Sequence, residues 1–148
     1  MVEYRLLRRE DMGAAAQLHR IASTLIPDFD AAGQRTDEIA SLYSGVFERG
    51  SIWGAVEGDL LAGVLALEPG WTEHLYVEPS RNGRGIGRAL VEIAQREQDD
   101  LQLFTWRSNV RARKMYEAAG FIAEEFGFDE RGDEAVPNVR YRWRRSAA

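Results

Sequence analysis

The octet Arg81-Asn82-Gly83-Arg84-Gly85-Ile86-Gly87-Arg88 carries glycine at every second position, three arginines and no acid. Alternate glycines leave backbone without side chains just ahead of Ile86, Leu90, Ile93 and Ala94, which recur at helical spacing. That spacing predicts a helix from about Gly85–Gly87 to Gln98, entered directly from the loop. Backbone N–H groups at such an entry can converge on one centre, where the helix dipole adds about half a positive charge, and phosphate is the natural guest. Arg81, Arg84 and Arg88 add to that potential. Two phosphate loops are excluded. Gly87 is followed by Arg88 and Ala89 where a P-loop needs Lys and Ser or Thr, and Arg88 stands where the dinucleotide fingerprint needs Gly or Ala. A surface turn that merely lets strand and helix pack is the competing use of the octet.

The rest of the chain supplies the frame for that loop. Val2–Leu7 reads as a strand, and Asp11 as the cap of a helix bearing Ala15, Leu18, Ile21, Ala22 and Leu25. Pro27 ends it, residues 27–35 form a loop, and Thr36 caps a second helix reaching about Phe47. Three apolar runs, Ser51–Val56, Leu60–Leu67 and Trp71–Val77, joined by Glu57-Gly58-Asp59 and Pro69-Gly70, read as an antiparallel meander. After the loop and its helix come a strand over Leu101–Trp106, a helix over Asn109–Ala119 stopped by Gly120, and a strand over Phe121–Phe126. Val139–Trp143, alternating with Arg140, Arg142 and Arg144, reads as an edge strand. At 148 residues this is one α/β domain spanning 1–148, a mixed and mostly antiparallel sheet of about six to seven strands with about four helices on both faces.

Composition narrows the chemistry. There is no cysteine, hence no thiol nucleophile, thiolate metal site or disulfide framework. Two histidines and scattered acids give no metal-ligand spacing. A net charge of -5 argues against nucleic-acid binding, and no apolar stretch is long enough for a membrane span. Without an export signal, a cytoplasmic location is expected.

The stretch His74-Leu-Tyr-Val-Glu-Pro-Ser-Arg-Asn-Gly-Arg-Gly-Ile-Gly-Arg-Ala-Leu90 resembles the acyl-CoA-binding motif of the GNAT superfamily of N-acetyltransferases, whose core is Gln/Arg-x-x-Gly-x-Gly/Ala. Gly85 and Gly87 fill the glycine positions, and Asn82 departs from the usual Gln or Arg; Arg81 beside it is a candidate to compensate. A second family block follows, Asn109-x-x-Ala112-x-x-x-Tyr116-x-x-x-Gly120-Phe121, and the order of elements matches from end to end.

The resemblance implies a co-substrate, acetyl-CoA, and no metal. Its pantetheine arm is expected along the backbone of Leu75, Tyr76 and Val77, and its pyrophosphate on Asn82, Gly83, Arg84, Gly85, Ile86, Gly87 and Arg88. Asn109 and Ala112 line its path. Tyr116 stands where the family places a hydroxyl against the sulfur, which makes it the candidate general acid for the departing thiolate. For the base, Glu73 is the first candidate and His74 the second; strict alternation puts them on opposite faces unless a bulge intervenes. His19 is expected to be surface or structural. Acceptor recognition is expected from the first two helices, their loop with Asp28, Phe29 and Asp30, and the acids Glu125, Asp129, Glu130, Asp133 and Glu134 of the last hairpin, with Trp53, Trp71 and Trp106 as an apolar or cation-binding wall. The expected partner is a small-molecule or peptide amine, with a homodimer through the last strand as a further expectation. A non-catalytic acyl-CoA-binding module is the alternative function.

Overall fold

The computed structural model describes residues 1–24, 36–131 and 134–146. Seven strands form one sheet: β1 (Val2–Leu6), β2 (Ser51–Glu57), β3 (Leu60–Glu68), β4 (Trp71–Val77), β5 (Asp100–Trp106), β6 (Ile122–Arg131) and β7 (Glu134–Arg144). Among the described residues four α-helices accompany them, α1 (Met12–Ser23), α2 (Thr36–Arg49), α3 (Ile86–Glu97) and α4 (Val110–Ala118). The spatial order is β1-β2-β3-β4-β5-β7-β6, antiparallel except where β4 meets β5.

Each face of the sheet buries its own core. On one, Ala15, Ala16 and Leu18 of α1 and Ile39, Tyr43 and Val46 of α2 pack on Ile52, Val64 and Ala66. On the other, Ile86, Leu90, Val91, Ile93 and Ala94 of α3 and Tyr116 of α4 pack on Leu65, Leu67, Leu101, Leu103, Val139 and Tyr141. The apolar stripe that located α3 in the sequence is therefore its buried face.

β4 and β5 share one register pair, Trp71 opposite Gln102, and diverge beyond it. Each is held along its length by its outer neighbour, β4 by β3 and β5 by β7, so the sheet opens into a wedge between them. The backbone edge of β4 after His74 faces that wedge. The β4-α3-β5 connection places α3 across one face and its N-terminal loop at the mouth.

Three expectations need correction. The last strand, expected at an edge, lies inside the sheet between β5 and β6, so β6 is the edge and the route to a dimer through β7 is closed. Its arginines do not face a missing neighbour: Arg140 reaches Gln102 and Glu124, and Arg142 grips Asp100, while Val139 and Tyr141 are fully buried. Asp11 does not cap α1 with its side chain; its Oδ2 accepts instead from the Arg8 amide at 2.7 Å, closing the short turn before the helix. β6 and β7 also run longer than the apolar patterns indicated, since pairing to each other holds residues the patterns missed. Asp28, Phe29, Asp30 and Asp133 lie outside the described residues.

Candidate active site

The glycines of the loop do three different things. Gly83 and Gly85 have φ of 84° and 83°, a left-handed conformation that a Cβ disfavours. Gly85 is also the N-cap of α3 and has no side chain to satisfy the first helical amides, so these stay open to a ligand. Gly87 is already in the helix, where a Cβ would stand 2.9 Å from Met115 Sδ. Its smallness lets α3 meet α4 rather than baring the loop.

This end of α3 borders a cleft of about 640 Å³ lined by Val77, Asn82, Gly83, Gly85, Gly87 and Arg88, with Arg111 and Met115 opposite. Arg88 and Arg84 are 82% and 59% exposed, each 3.5 Å from a glutamate (Glu92, Glu57), and such surface pairs yield easily to a better anion. Arg81, the expected stand-in for the missing Gln or Arg, also lines this cleft. It is fastened to Glu57 at 2.9 Å and Glu78 at 3.1 Å. Arg111 had no sequence signal, because its place in the cleft depends on how α4 docks beside α3.

A second cleft, of about 470 Å³, occupies the wedge itself. It is lined on one side by Thr72 to Tyr76 of β4 and on the other by Leu103 to Trp106 of β5, with Asn109, Ala112, Tyr116, Asp129 and Asn138. The two clefts share Leu75, Tyr76, Asn109 and Ala112, so they meet as one path from the glycine loop into the sheet. Asn109 Oδ1 accepts from the Ala112 amide at 3.3 Å and so caps α4, which fixes both residues against the path. Tyr116, 6% exposed, packs against Phe121 and Tyr141 at 5.5 and 6.2 Å between ring centres. Burial, and then the nearby Tyr76, push its phenol well above the usual range, so it holds its proton at neutral pH.

The bulge needed to bring Glu73 and His74 together is present. Leu67 faces Thr72 and Ala66 faces His74, leaving Glu73 as the extra residue, and both side chains line the wedge. Glu73 is exposed overall, but partial desolvation of its carboxyl and then the neighbouring Glu68 raise it, against a smaller opposing effect of Arg49. His74 sits in an aromatic cluster with His19, Tyr43 and Tyr76, at 5.1, 4.9 and 6.5 Å between ring centres. Burial lowers it to about 4, and it stays a neutral imidazole. His19 is structural and not at the surface: it is 4% exposed, its Nδ1 lies 3.0 Å from the Tyr43 hydroxyl, and burial lowers it to about 3.

Of the expected tryptophan wall, Trp106 lines the wedge and Trp71 stacks on Phe104, which also lines it, at 5.6 Å. Trp53 does not take part; it packs into the α3 side of the core. Of the hairpin acids, Asp129 lines the wedge, whereas Glu125 points to Arg140 at 3.8 Å. Thr72 is 7% exposed and its Oγ1 has no hydrogen-bond partner among the described residues. Thr72, Phe104 and Asn138 escaped the sequence reading because short polar and aromatic strand residues carry no functional pattern of their own. Among the described residues there is no group of three acids or histidines that could hold a metal, and no helix long and apolar enough to cross a membrane.

Comparison with known proteins agrees with this geometry. The acetyltransferase (GNAT) domain family matches residues 48–123. The chain is 36% identical over 85 residues, 57% of its length, to the mycothiol acetyltransferase of Corynebacterium aurimucosum, and spans 24% of that protein. It is 34% identical over 65 residues to the peptidyl-lysine N-acetyltransferase YiaC of Escherichia coli, 44% of each chain. The chain thus spans less than half the length of either curated relative. The fold superposes on yncA from Salmonella typhimurium, solved with its cofactor acetyl-CoA, at a TM-score of 0.77 over 99% of this chain and 95% of that one, with 14% identity. With half its length matched, around the glycine loop and the wedge, the chain belongs to the GNAT acetyltransferase family.

Proposed function

We propose that this chain, acting as one domain over residues 1–148, transfers an acetyl group from acetyl-CoA to a primary amine within a ternary complex. The observation that carries the reading is the wedge between β4 and β5, with open helix amides at one mouth and a protonated phenol and a carboxyl inside. The residues present fit acetyl-CoA. Amides from Asn82 to Arg88 suit the pyrophosphate, with Arg84, Arg88 and Arg111 at hand. The side of β4 that faces the wedge at Leu75, Tyr76 and Val77 suits the pantetheine amides, and Asn109 and Ala112 leave room beside them. When bound, the co-substrate supplies an activated thioester.

The protein's own groups then divide the proton work. Glu73 takes the proton of the acceptor ammonium, freeing the nitrogen lone pair that forms the new C–N bond. As the C–S bond breaks, Tyr116 donates its proton to the leaving thiolate, and the second proton of the acceptor nitrogen, released as the amide forms, restores the phenol. His74, held neutral in an aromatic cluster, serves mainly to shape the floor. Asp129 on the far wall suits a cationic acceptor, and the likeness to a peptidyl-lysine acetyltransferase favours an alkylamine such as a lysine side chain.

Calorimetric titration with acetyl-CoA, coenzyme A and ATP, followed by thiol release with a lysine peptide, spermidine and alanine, tests the reading. Tyr116→Phe is expected to lower kcat by roughly 10²-fold with acetyl-CoA affinity retained. Undiminished kcat removes the acid role, and acetyl-CoA binding without thiol release from any amine would leave a binding module.

A further inference from the structure

Side chains alternate along β5. Leu101 and Leu103 are buried in the core beneath α3, so Gln102 and Phe104 point to the opposite face of the sheet. The core on that face, beneath α1 and α2, takes in Ile52, Val64, Ala66 and Tyr76, and among the described residues nothing from β5, β6 or β7. Gln102 is tied to Arg140 at 2.7 Å, and Arg140 reaches on to Glu124 at 2.8 Å. Phe104 has no such tie. It is 56% exposed, an apolar ring on the wall of the wedge.

Its ring partner is Trp71, which comes across the split from β4 with its plane 16° from that of Phe104 and the centres 5.6 Å apart. Trp71 stands at the narrow end of the wedge, opposite Gln102, and the turn before it is clamped. Gln98 accepts from the Gly70 amide at 2.7 Å and donates to the Glu68 carbonyl at 3.0 Å, while the Gly70 carbonyl accepts from the Gln102 amide at 2.8 Å. Phe104 thus rests on a ring whose own backbone is fixed. Phe126 and Phe128 of β6 are also exposed, but Arg107 lies over both rings at 5.6 and 5.0 Å. A single exposed apolar side chain is ordinary, whereas one stacked on a fixed partner within a cleft is a contact surface.

We propose that Phe104, backed by Trp71, is a specificity residue that carries the apolar stem of the acceptor, so that the chain selects a primary amine ending an unbranched methylene chain over a short or polar one. The inference rests on the reading of the wedge as the acceptor site. Glu73 and Asp129 line the same cleft and draw the ammonium. The nitrogen must lose its charge before it attacks, and an aromatic face under the cation would favour the unreactive ammonium. The group that rests on Phe104 is therefore the stem. Contact with one ring face covers about half of a methylene, so each added CH2 is expected to raise kcat/KM by roughly twofold, against roughly fourfold for complete burial.

The test is thiol release by the full chain with acetyl-CoA and propylamine, butylamine, pentylamine or hexylamine, whose nearly equal basicities leave length as the variable. In the parent kcat/KM is expected to rise by about eightfold across the series. The rise is carried by KM, with kcat alike for the four amines. Phe104 belongs to neither core, so its variants are expected to fold. Phe104→Ala and Phe104→Gln are expected to flatten the series, and Phe104→Leu, which stays apolar, to keep most of the rise. Equal kcat/KM for the four amines in the parent overturns the inference. So does a rise that survives in Phe104→Ala, or a uniform fall for all four amines with the rise intact. A surviving rise joined to a lower apparent mass in sizing would assign the ring to a contact between copies instead. Thiol release with no amine at all overturns the proposed function and the inference with it; release without a length effect overturns the inference alone.

Discussion

Gly85→Ala isolates the conformational demand of the loop from any steric one. A Cβ at Gly85 would meet nothing within 4 Å, so the substitution introduces no clash. It does force an alanine into φ of 83°, which costs about 1–2 kcal/mol. For a chain of 148 residues that corresponds to a fall in Tm of about 3–6 °C. If the loop relaxes to escape the strain, the amides ahead of α3 turn away from their common centre. Losing one hydrogen bond to a charged phosphate removes about 1.5–3 kcal/mol, or roughly tenfold to a hundredfold in acetyl-CoA affinity. Thermal unfolding without ligand, and calorimetry with acetyl-CoA, read the two effects separately. Gly85→Asn serves as control, because asparagine tolerates the left-handed region and should recover most of the lost Tm. An alanine variant that unfolds at the parent temperature and binds acetyl-CoA as tightly would refute the argument.

Two further predictions concern stability. His19 and His74 are lowered from 6.5 to about 3 and about 4, so between those values and 6.5 the unfolded chain binds more protons than the folded one. Their contribution is complete above pH 6.5 and is lost as pH falls, by about 1 kcal/mol for each imidazole between pH 7 and 5.5. Urea titrations at the two pH values measure it; equal stabilities would contradict the neutral cluster, and His19→Gln should remove about half of the difference. Thr72→Val eliminates a buried hydroxyl with no partner and should raise Tm by about 2–4 °C, equivalent to about 1 kcal/mol. A lower Tm would reveal a partner for that hydroxyl.

What the sequence determined by itself is local. Period and punctuation located the elements, since the α3 stripe from Ile86 to Ala94 and the glycine stops are properties of neighbouring residues. The loop, Asn109, Ala112 and Tyr116 were legible for the same reason, as their spacing repeats a family pattern. Tertiary structure decided the rest. That β7 inserts between β5 and β6 is set by long-range pairing, which an alternation of Val, Tyr and Trp with arginine does not encode. Gly87 appears equivalent to Gly83 and Gly85 until α4 is docked and Met115 fills its place. Glu73 and His74 share the wedge because of one bulged residue, and a bulge arises from the register of two strands rather than from the composition of either. Arg49 meets Glu68 from a helix 19 residues earlier in the chain, and electrostatic neighbours of this kind exist only after folding.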